Sequence, residues 1–164
     1  MTEVARPAPQ WLSEPEMQAW KALVATATGV LATLDRELQT EHGISLAEYE
    51  VLVHCSEQPE GSIRMSDLAS AIHLSPSGMT RRIDAMVRRG LVRREACPTD
   101  RRAFNVLLTD EGCTLLREAA PTHLRGVRAH FIDRLSPQQL TQLADAFSAI
   151  EIDPAAAAGG CDRA

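Results

Sequence analysis

The sequence predicts a mainly α-helical fold that contains one small β-hairpin. Near both ends of the chain, apolar residues recur every three or four positions, as they do on one face of a helix. In the middle, a helical pattern over residues 76–89 is followed by two strand-like runs, 91–95 and 103–108. A chain of 164 residues is long enough for one domain with an appended helical element.

The first long helix is expected to begin at Ser13. Ser13 forms a capping-box pattern with Glu16, three residues later, and such a pattern starts helices. A stripe of apolar residues then continues as far as Leu38 in alternating steps of three and four, which is the spacing of a seam between packed helices. Residues 1–12 carry little pattern and are expected to be loose.

A shorter second helix follows Gly43, which is expected to end the first. Ser45 and Glu48 form a second capping box, and this helix is predicted to end near Glu57. Its buried side is expected to carry Tyr49, Leu52 and Val53.

Two further short helices, 67–72 and 76–89, are joined by a turn of three to four residues. Ser66 is expected to cap the first of them, Ser75 is expected to cap the second, and Gly90 ends it. The buried side of the second is expected to contain Met79, Ile83, Met86 and Val87. Two short helices around so tight a turn form a helix-turn-helix unit.

The C-terminal part repeats the helical pattern of the N-terminal part. Thr109 is expected to cap another long helix, and Ser136 and Gln139 form a third capping box. The tail from residue 153 is expected to be loose. We call the exposed stripe predicted on the terminal helices the apolar seam; its residues are Met17, Trp20, Val24, Leu31, Leu140, Leu143, Phe147 and Ile150.

The apolar seam predicts a homodimer. Residues 13–42 and 110–152 would form a helical dimerisation region that flanks the middle lobe, residues 45–109. A single small domain has little use for so long an apolar stripe unless a second copy covers it. A monomer that folds its own end helices together is the alternative.

Positive charge is concentrated in the middle lobe. Residues 81–102 contain eight arginines and three acidic residues, a net charge of +5, whereas the whole chain carries −5. Such a concentration suits a polyanionic partner. A solvated arginine-rich surface is the alternative. The small hydroxyl residues at the start of the 76–89 helix favour the first interpretation, because they let a helix N-terminus approach phosphates closely.

Five motifs in the middle lobe resemble the winged helix-turn-helix of MarR-family transcriptional regulators. In chain order they are Leu68-Ala69 through Leu74-Ser75-Pro76-Ser77, Thr80-Arg81-Arg82-Ile83, Arg89-Gly90-Leu91-Val92, Asp100-Arg101-Arg102 and Leu108-Thr109-Asp110-Glu111-Gly112. The motifs cover roughly residues 45–112, and the flanking helices match by pattern only. The resemblance implies a mainly α fold with a small β-hairpin wing and with N- and C-terminal dimerisation helices.

The resemblance also implies a function. A protein of this kind is expected to be a sequence-specific DNA-binding transcriptional regulator, and a repressor, that binds double-stranded DNA as a homodimer on a pseudo-palindromic operator. It would release the DNA when a small aromatic or phenolic ligand binds between the dimer helices and the DNA-binding lobe. The residues expected to line that ligand site are Trp11, Trp20, His42 and Tyr49, although Trp20 also fits the apolar seam.

Side chains on the 76–89 helix are expected to enter the major groove, where arginine can make a bidentate contact to guanine. These are Ser77, Thr80, Arg81 and Arg82. Ser66 and Ser75 are expected to act mainly as caps, with phosphate contact secondary. Phosphate contacts are expected from some of four further arginines, while one or two of them form salt bridges within the domain: Arg88, Arg89, Arg93 and Arg94.

The predicted hairpin turn carries Asp100, Arg101 and Arg102. A carboxylate can hold a guanidinium in place through charge-assisted hydrogen bonds. The resemblance implies that Asp100 orients Arg102, which enters the minor groove, and narrow A·T-rich grooves attract arginine. Asp100 as a plain turn residue is the alternative.

Other classes of protein fit the sequence less well. An enzyme is not predicted, because the chain has no glycine-rich phosphate loop, nucleophile elbow or metal-binding signature, and no cofactor is expected. No run of residues approaches the length of a membrane span, and a signal-peptide pattern is missing at the N-terminus, so a soluble cytoplasmic protein is expected.

Two alternatives keep the same fold but change the signal. In a metal-responsive regulator the ligands would come from His42, His54, His123 and His130. In a redox-responsive regulator the reactive thiol would be one of Cys55, Cys97, Cys113 and Cys161, among which Cys97 and Cys161 are expected to be exposed. The cysteines form no Cys-x-x-Cys pair, which favours reduced thiols.

Overall fold

Nine helices and strands form the part of the chain that the computed structural model describes, residues 10–72, 74–97 and 100–150. In chain order they are α1 (Glu14–His42), α2 (Leu46–Ser56), β1 (Ser62–Arg64), α3 (Met65–Ala71), α4 (Pro76–Arg88), β2 (Val92–Cys97), β3 (Asp100–Leu108), α5 (Asp110–His130) and α6 (Pro137–Ser148). Short 3-10 turns lie at Pro59–Gly61 and Ile132–Arg134. The predicted winged helix-turn-helix fold is confirmed.

Five of the six described α-helices, all except α3, begin at the predicted caps. The carboxylate of Glu16 accepts the backbone N–H of Ser13 at 2.6 Å, and the carboxylate of Glu48 accepts that of Ser45 at 2.8 Å. Four hydroxyl groups accept a backbone N–H from the third residue after them, those of Ser45, Ser75, Thr109 and Ser136. Gly43 has a φ of 66°, which ends α1 in the left-handed conformation that glycine adopts without strain.

The prediction that Ser66 caps α3 is wrong. Helix α3 begins at Met65 with Arg64 as its N-cap, so Ser66 lies inside the first turn and its hydroxyl donates to Asp67 at 3.0 Å. The reason is the pairing of β1 with β3, which keeps the chain extended as far as Arg64. Once that pairing ends, the helix starts at the next residue.

The hairpin is longer than predicted. The sheet has the order β1-β3-β2 and is antiparallel throughout. Strand β2 continues to Cys97, which lies opposite Asp100, with an irregularity in register between Ala96 and Cys97. Most of the predicted loop 97–102 is therefore strand, because backbone pairing does not require the alternating apolar pattern that stops before it.

The core lies where α2, α3 and α4 meet the sheet and the C-terminal end of α1. Its fully buried large side chains are Leu38, Ile44, Val51, Leu52, Cys55, Leu68, Met79, Ile83, Met86, Val92 and Val106. Val87 was predicted to join the buried side of α4 but is 38% exposed. It follows Met86 directly, and each residue turns a helix by about 100°, so both cannot face inward equally.

Much of the apolar seam is uncovered in the single chain. Trp20 is 57% exposed and Phe147 is 45% exposed, although Leu34 and Leu38 at the other end of α1 are buried. Helix α6 makes no broad contact with any other described element, and the two end helices do not pack broadly on each other. Among the described helices, none is both long enough and apolar enough to span a membrane.

Two glycine substitutions should have opposite effects on stability. A Cβ atom at Gly112 would collide with the carbonyl oxygen of Leu91 and lie 2.9 Å from Cδ1 of Leu108. Gly112→Ala should therefore lower the free energy of unfolding by roughly 1–3 kcal/mol. Gly29 lies inside α1 with nothing within 4 Å of an added Cβ, so Gly29→Ala should raise it by about 1 kcal/mol through helix propensity.

Denaturant unfolding of both variants beside the parent chain checks this prediction. A Gly112→Ala protein as stable as the parent would show that the contact between α5 and the Leu91 carbonyl is not as tight as described.

Candidate nucleic-acid interface

The outer face of α4 is polar and open to solvent. Ser77, Thr80, Arg81 and Arg88 are exposed there. The opposite face packs into the core through fully buried methionine and isoleucine side chains, which fixes the rotation of the helix about its own axis. At its start, the hydroxyl of Ser75 accepts the backbone N–H of Gly78 at 3.2 Å. The helix therefore presents an arginine-bearing face to the surroundings.

Arg82 does not lie on that outer face. Its side chain is half-buried, and its Nη1 atom donates to the hydroxyl oxygen of Ser45 at 2.9 Å. The expectation that Arg82 stands beside Arg81 in the major groove is thus corrected. Arg82 follows Arg81 by one residue, and the rotation of about 100° turns it toward the start of α2.

Four further arginines were considered as phosphate contacts, and one or two of them were expected to form salt bridges within the lobe. Three of the four form such salt bridges. Arg89 contacts Glu48 at 3.1 Å, Arg94 contacts Asp84 at 2.7 Å, and Arg93 pairs with Glu95. Arg88, like Arg81, forms no ion pair with another described residue. The ion pairs therefore leave fewer arginines available to DNA than the eight that residues 81–102 contain.

The tip of the wing is described only in part. Strand β3 begins at Asp100, but the side chains of Asp100, Arg101 and Arg102 lie outside the described part of the structure. Cys97 was expected in an exposed turn and is buried instead, with Nη2 of Arg64 at 3.3 Å from its sulfur. It is buried because β2 continues through Cys97 and pairs it with β3.

Two of the four predicted ligand residues meet where α1, α2 and α5 join. Tyr49 is buried and stacks on His123, with ring centroids 4.6 Å apart. Nε2 of His42 lies 2.9 Å from the hydroxyl oxygen of Thr122, whose proton goes to Glu41 at 2.8 Å. Because a hydroxyl group has one proton, His42 is the donor in its contact with Thr122.

Trp11 and Trp20 are not brought to that junction within one chain. Trp11 is 84% exposed, and Trp20 lies in the second turn of α1. Trp20 and His42 are 22 positions apart in one helix, which is about 33 Å at 1.5 Å per residue. A single chain therefore does not bring all four residues together, and their grouping in a site between two chains stays a prediction.

Sequence reasoning did not find the polar contacts that join α1 to α5. Arg125 contacts Glu41 at 2.7 Å, and His130 contacts Glu37 at 2.7 Å. Hydrogen bonds from Arg125 first and Thr122 second hold the pKa of Glu41 below its ordinary value. Partners more than 80 positions apart leave no local pattern, so the sequence carried no signal for these pairs.

The described cysteines and histidines give no sign of a redox centre or a metal centre. Burial raises the pKa of the Cys55 thiol to about 12, so this thiol stays protonated and unreactive at neutral pH. Cys161 lies outside the described residues. Within the described ranges, no group of three or more histidine, cysteine, aspartate or glutamate side chains could hold a metal ion.

In α3 and α4, the second helix of a helix-turn-helix unit is exposed, carries arginines and lies beside a β-hairpin wing. This arrangement defines a winged-helix DNA-binding protein. The family model described as the MarR family matches residues 44–104. The regulator PecS of Dickeya dadantii (strain 3937) is 30% identical over 141 residues, and the match covers 82% of each chain. The chain belongs to the MarR family: it is a transcriptional regulator that binds DNA, and not an enzyme.

Solved structures of relatives share this fold. Sco3205 of Streptomyces coelicolor, a MarR-family regulator solved in complex with DNA, is 35% identical with a TM-score of 0.81, and the match covers 87% of this chain and 89% of that one. CouR of Rhodococcus jostii RHA1, solved with bound p-coumaroyl-CoA, is 25% identical with a TM-score of 0.67, and the match covers 80% of this chain and 93% of that one.

The stack of Tyr49 on His123 predicts a pH-dependent stability. Burial lowers the pKa of His123 below its ordinary 6.5, so the unfolded chain takes up this proton more readily than the folded one. The contribution of His123 is complete above about pH 6.5 and is lost as the pH falls through the folded-state pKa. The parent should therefore lose stability between about pH 7 and pH 5.

His123→Phe keeps an aromatic ring beside Tyr49 but removes the titrating group. Denaturant unfolding across that pH range should show a shallower loss for this variant than for the parent. Equal slopes for the two proteins would contradict the assignment.

Proposed function

We propose that this protein is a sequence-specific transcriptional repressor that binds a pseudo-palindromic operator as a homodimer and leaves it when a small aromatic or phenolic ligand binds. The observation that carries the proposal is the outer face of α4, which is held open by the burial of its inner face and bears Arg81 and Arg88, neither of which forms an ion pair with another described residue. Since the target is DNA, we place the protein in the cytoplasm.

The parts of the lobe take different tasks on DNA. In the major groove, Arg81 reads base edges, with Ser77 and Thr80 beside it, because arginine matches the acceptors of guanine. Arg88 and the start of α4 at Ser75 contact phosphates, as helix N-termini and arginines do. The wing tip, residues 100–102, is assigned to the minor groove by the family resemblance, with Asp100 orienting Arg102.

The homodimer is supported by the apolar seam. Each chain carries one helix-turn-helix, while α6 and the first half of α1 expose large apolar side chains that no other described element covers. Contiguous exposed apolar patches of this kind are typical of interaction surfaces. Pairing of two seams would present two α4 helices to half-sites about one helical turn apart.

The ligand site is proposed at the junction of α1, α2 and α5. Tyr49, His123 and His42 combine aromatic surface with hydrogen-bonding groups there. The relative CouR was solved with p-coumaroyl-CoA, whose acyl group is phenolic, and this supports an aromatic ligand. The raised pKa of Cys55 favours this signal over a redox signal, and the lack of a group of three metal-ligating side chains among the described residues favours it over a metal signal.

The dimer is tested by placing a charge in the seam. Leu31 is 51% exposed in the single chain, and Leu31→Glu should convert the dimer into monomers because a carboxylate there would lose water on pairing. Thr40→Glu is the matched control, since residue 40 is exposed on the opposite side of α1. Sedimentation gives the assembly state.

Operator binding is measured on the same proteins. Affinity of the parent for its selected duplex should fall with salt at about −0.9 in log–log slope per phosphate neutralised. A parent chain that sediments as a monomer and still binds a single half-site tightly would reject the homodimer.

Variants of two arginines on the outer face of α4 distinguish base reading from phosphate contact. Arg81→Ala should cost roughly 1–3 kcal/mol of binding free energy and relax the preference at one base position in each half-site. Arg88→Ala should weaken all sequences alike and reduce the salt slope by about one per subunit. Selection from a random duplex pool with each variant measures both effects. The reverse result would place the reading face elsewhere.

A further inference from the structure

Two arginines, one in α4 and one at its end, bind this helix to the turn between α1 and α2. Arg82 donates from Nη1 to the hydroxyl oxygen of Ser45 at 2.9 Å. Arg89 donates from Nη1 to Oε1 of Glu48 at 3.1 Å and from Nη2 to the carbonyl oxygen of Gly43 at 3.0 Å. The two arginines are seven positions apart, or about two turns, so they leave α4 on the same side.

The acceptors of these contacts are themselves held in place. Glu48 has only 13% of its side chain exposed, and its other carboxylate oxygen accepts from the backbone N–H and the hydroxyl of Ser45. Asp35 of α1 accepts the backbone N–H of Leu46 at 2.8 Å. Hydrogen bonds to Glu48 and Asp35 therefore hold residues 43–48 in place beside α4, and we call these residues the platform.

The buried side chains of α4 belong to the same core as those of α2 and of the C-terminal end of α1. Arg82 and Arg89 add polar contacts from this side of the lobe to Gly43, Ser45 and Glu48, which follow α1 directly. Nε of Arg82 is buried and has no hydrogen-bond partner among the described residues, which offsets part of what the contact with Ser45 adds to stability. The loss of Arg82 should therefore change the position of α4 more than it changes the free energy of unfolding.

We propose that Arg82 and Arg89 are positioning residues that hold α4 at a fixed place on the platform, residues 43–48, and thereby set the half-site spacing that the protein accepts. This inference rests on the homodimer proposed above. In such a dimer the seam on α1 and α6 fixes the two platforms relative to each other. The distance between the two α4 helices then depends on how rigidly each platform holds its α4.

Spacing and base preference are measured separately to test the inference. Duplexes carry the same two half-sites with the spacer unchanged, one base pair shorter or one base pair longer, and the full chain is titrated on each. The parent should lose about tenfold or more in affinity for either altered spacer, because the half-sites shift by 3.4 Å and rotate out of phase.

Arg82→Met and Arg89→Met remove the donors but keep the length of the side chain. Each should reduce the penalty for an altered spacer to less than about threefold while base preference within a half-site stays unchanged, since the outer face is intact. Arg82→Lys keeps a charged donor and should restore much of the selectivity. Arg81→Ala should give the opposite pattern, with base preference relaxed and spacing preference kept.

Glu48→Gln provides a test that does not alter α4. Glutamine at this position retains the capping box but loses the ion pair with Arg89. It should resemble Arg89→Met, and the double variant should be no worse than either single variant, as expected for two residues that act through one contact. Thermal melting confirms that each variant is folded.

The outcomes distinguish the inference from the function on which it rests. A parent that binds all three spacers equally would reject the homodimer on a two-part operator. If the parent is selective and the folded methionine and glutamine variants are equally selective, the positioning role is overturned. Should one arginine variant fail to fold, the other arginine variant decides together with Glu48→Gln by the same criterion.

Discussion

The burial of Met79, Ile83 and Met86 determines how α4 is rotated, and the arrangement of the interface follows from that rotation. Two arginine pairs lie seven residues apart, Arg81-Arg82 inside this helix and Arg88-Arg89 at its C-terminal end. Because two turns separate the pairs, the first member of each faces outward and the second faces the α1–α2 turn. One apolar stripe thus divides four similar side chains between two different surfaces.

The ion pairs of the lobe change the meaning of its charge. A count of +5 over residues 81–102 suggests a broad basic surface. Asp84 and Glu95 are already part of that count, whereas Glu48 lies outside the counted stretch and compensates one more arginine. Arg81 and Arg88 keep positive charge on the outer face of α4, and Arg101 and Arg102 add positive charge in the wing, so attraction for DNA comes from both parts of the lobe.

Local signals predicted much of the fold. Capping boxes and glycines located the helix ends because a cap depends on residues within one turn of it. The errors arose where distant strands decide the outcome. The start of α3 and the burial of Cys97 both follow from pairing with β3, which the sequence near Ser66 or Cys97 does not encode.

The candidate site was predictable to a similar extent. The outward residues of α4 follow from the helical period, and the same period applied to Arg82 would have turned it away from Arg81. Its partner Ser45 could not have been identified, since 37 positions separate the two residues. The predicted length of α1 was enough to show that Trp20 and His42 of one chain lie far apart. The contacts of Thr122 with Glu41 and His42 had no sequence signal.

The C-terminal end of α1 connects the two proposed activities of the protein. His42 is bound by Thr122 of α5, and the next residue, Gly43, gives its carbonyl oxygen to Arg89 of α4. A ligand that competes for His42 therefore acts on the same helix end that supports the DNA-reading helix. Because a ligand shifts an equilibrium only by its difference in affinity between two states, it must favour a state in which this helix end has moved. While Arg82 and Arg89 keep their contacts with the α1–α2 turn, such a movement is passed on to α4. Without these contacts, ligand binding would leave the affinity for DNA unchanged.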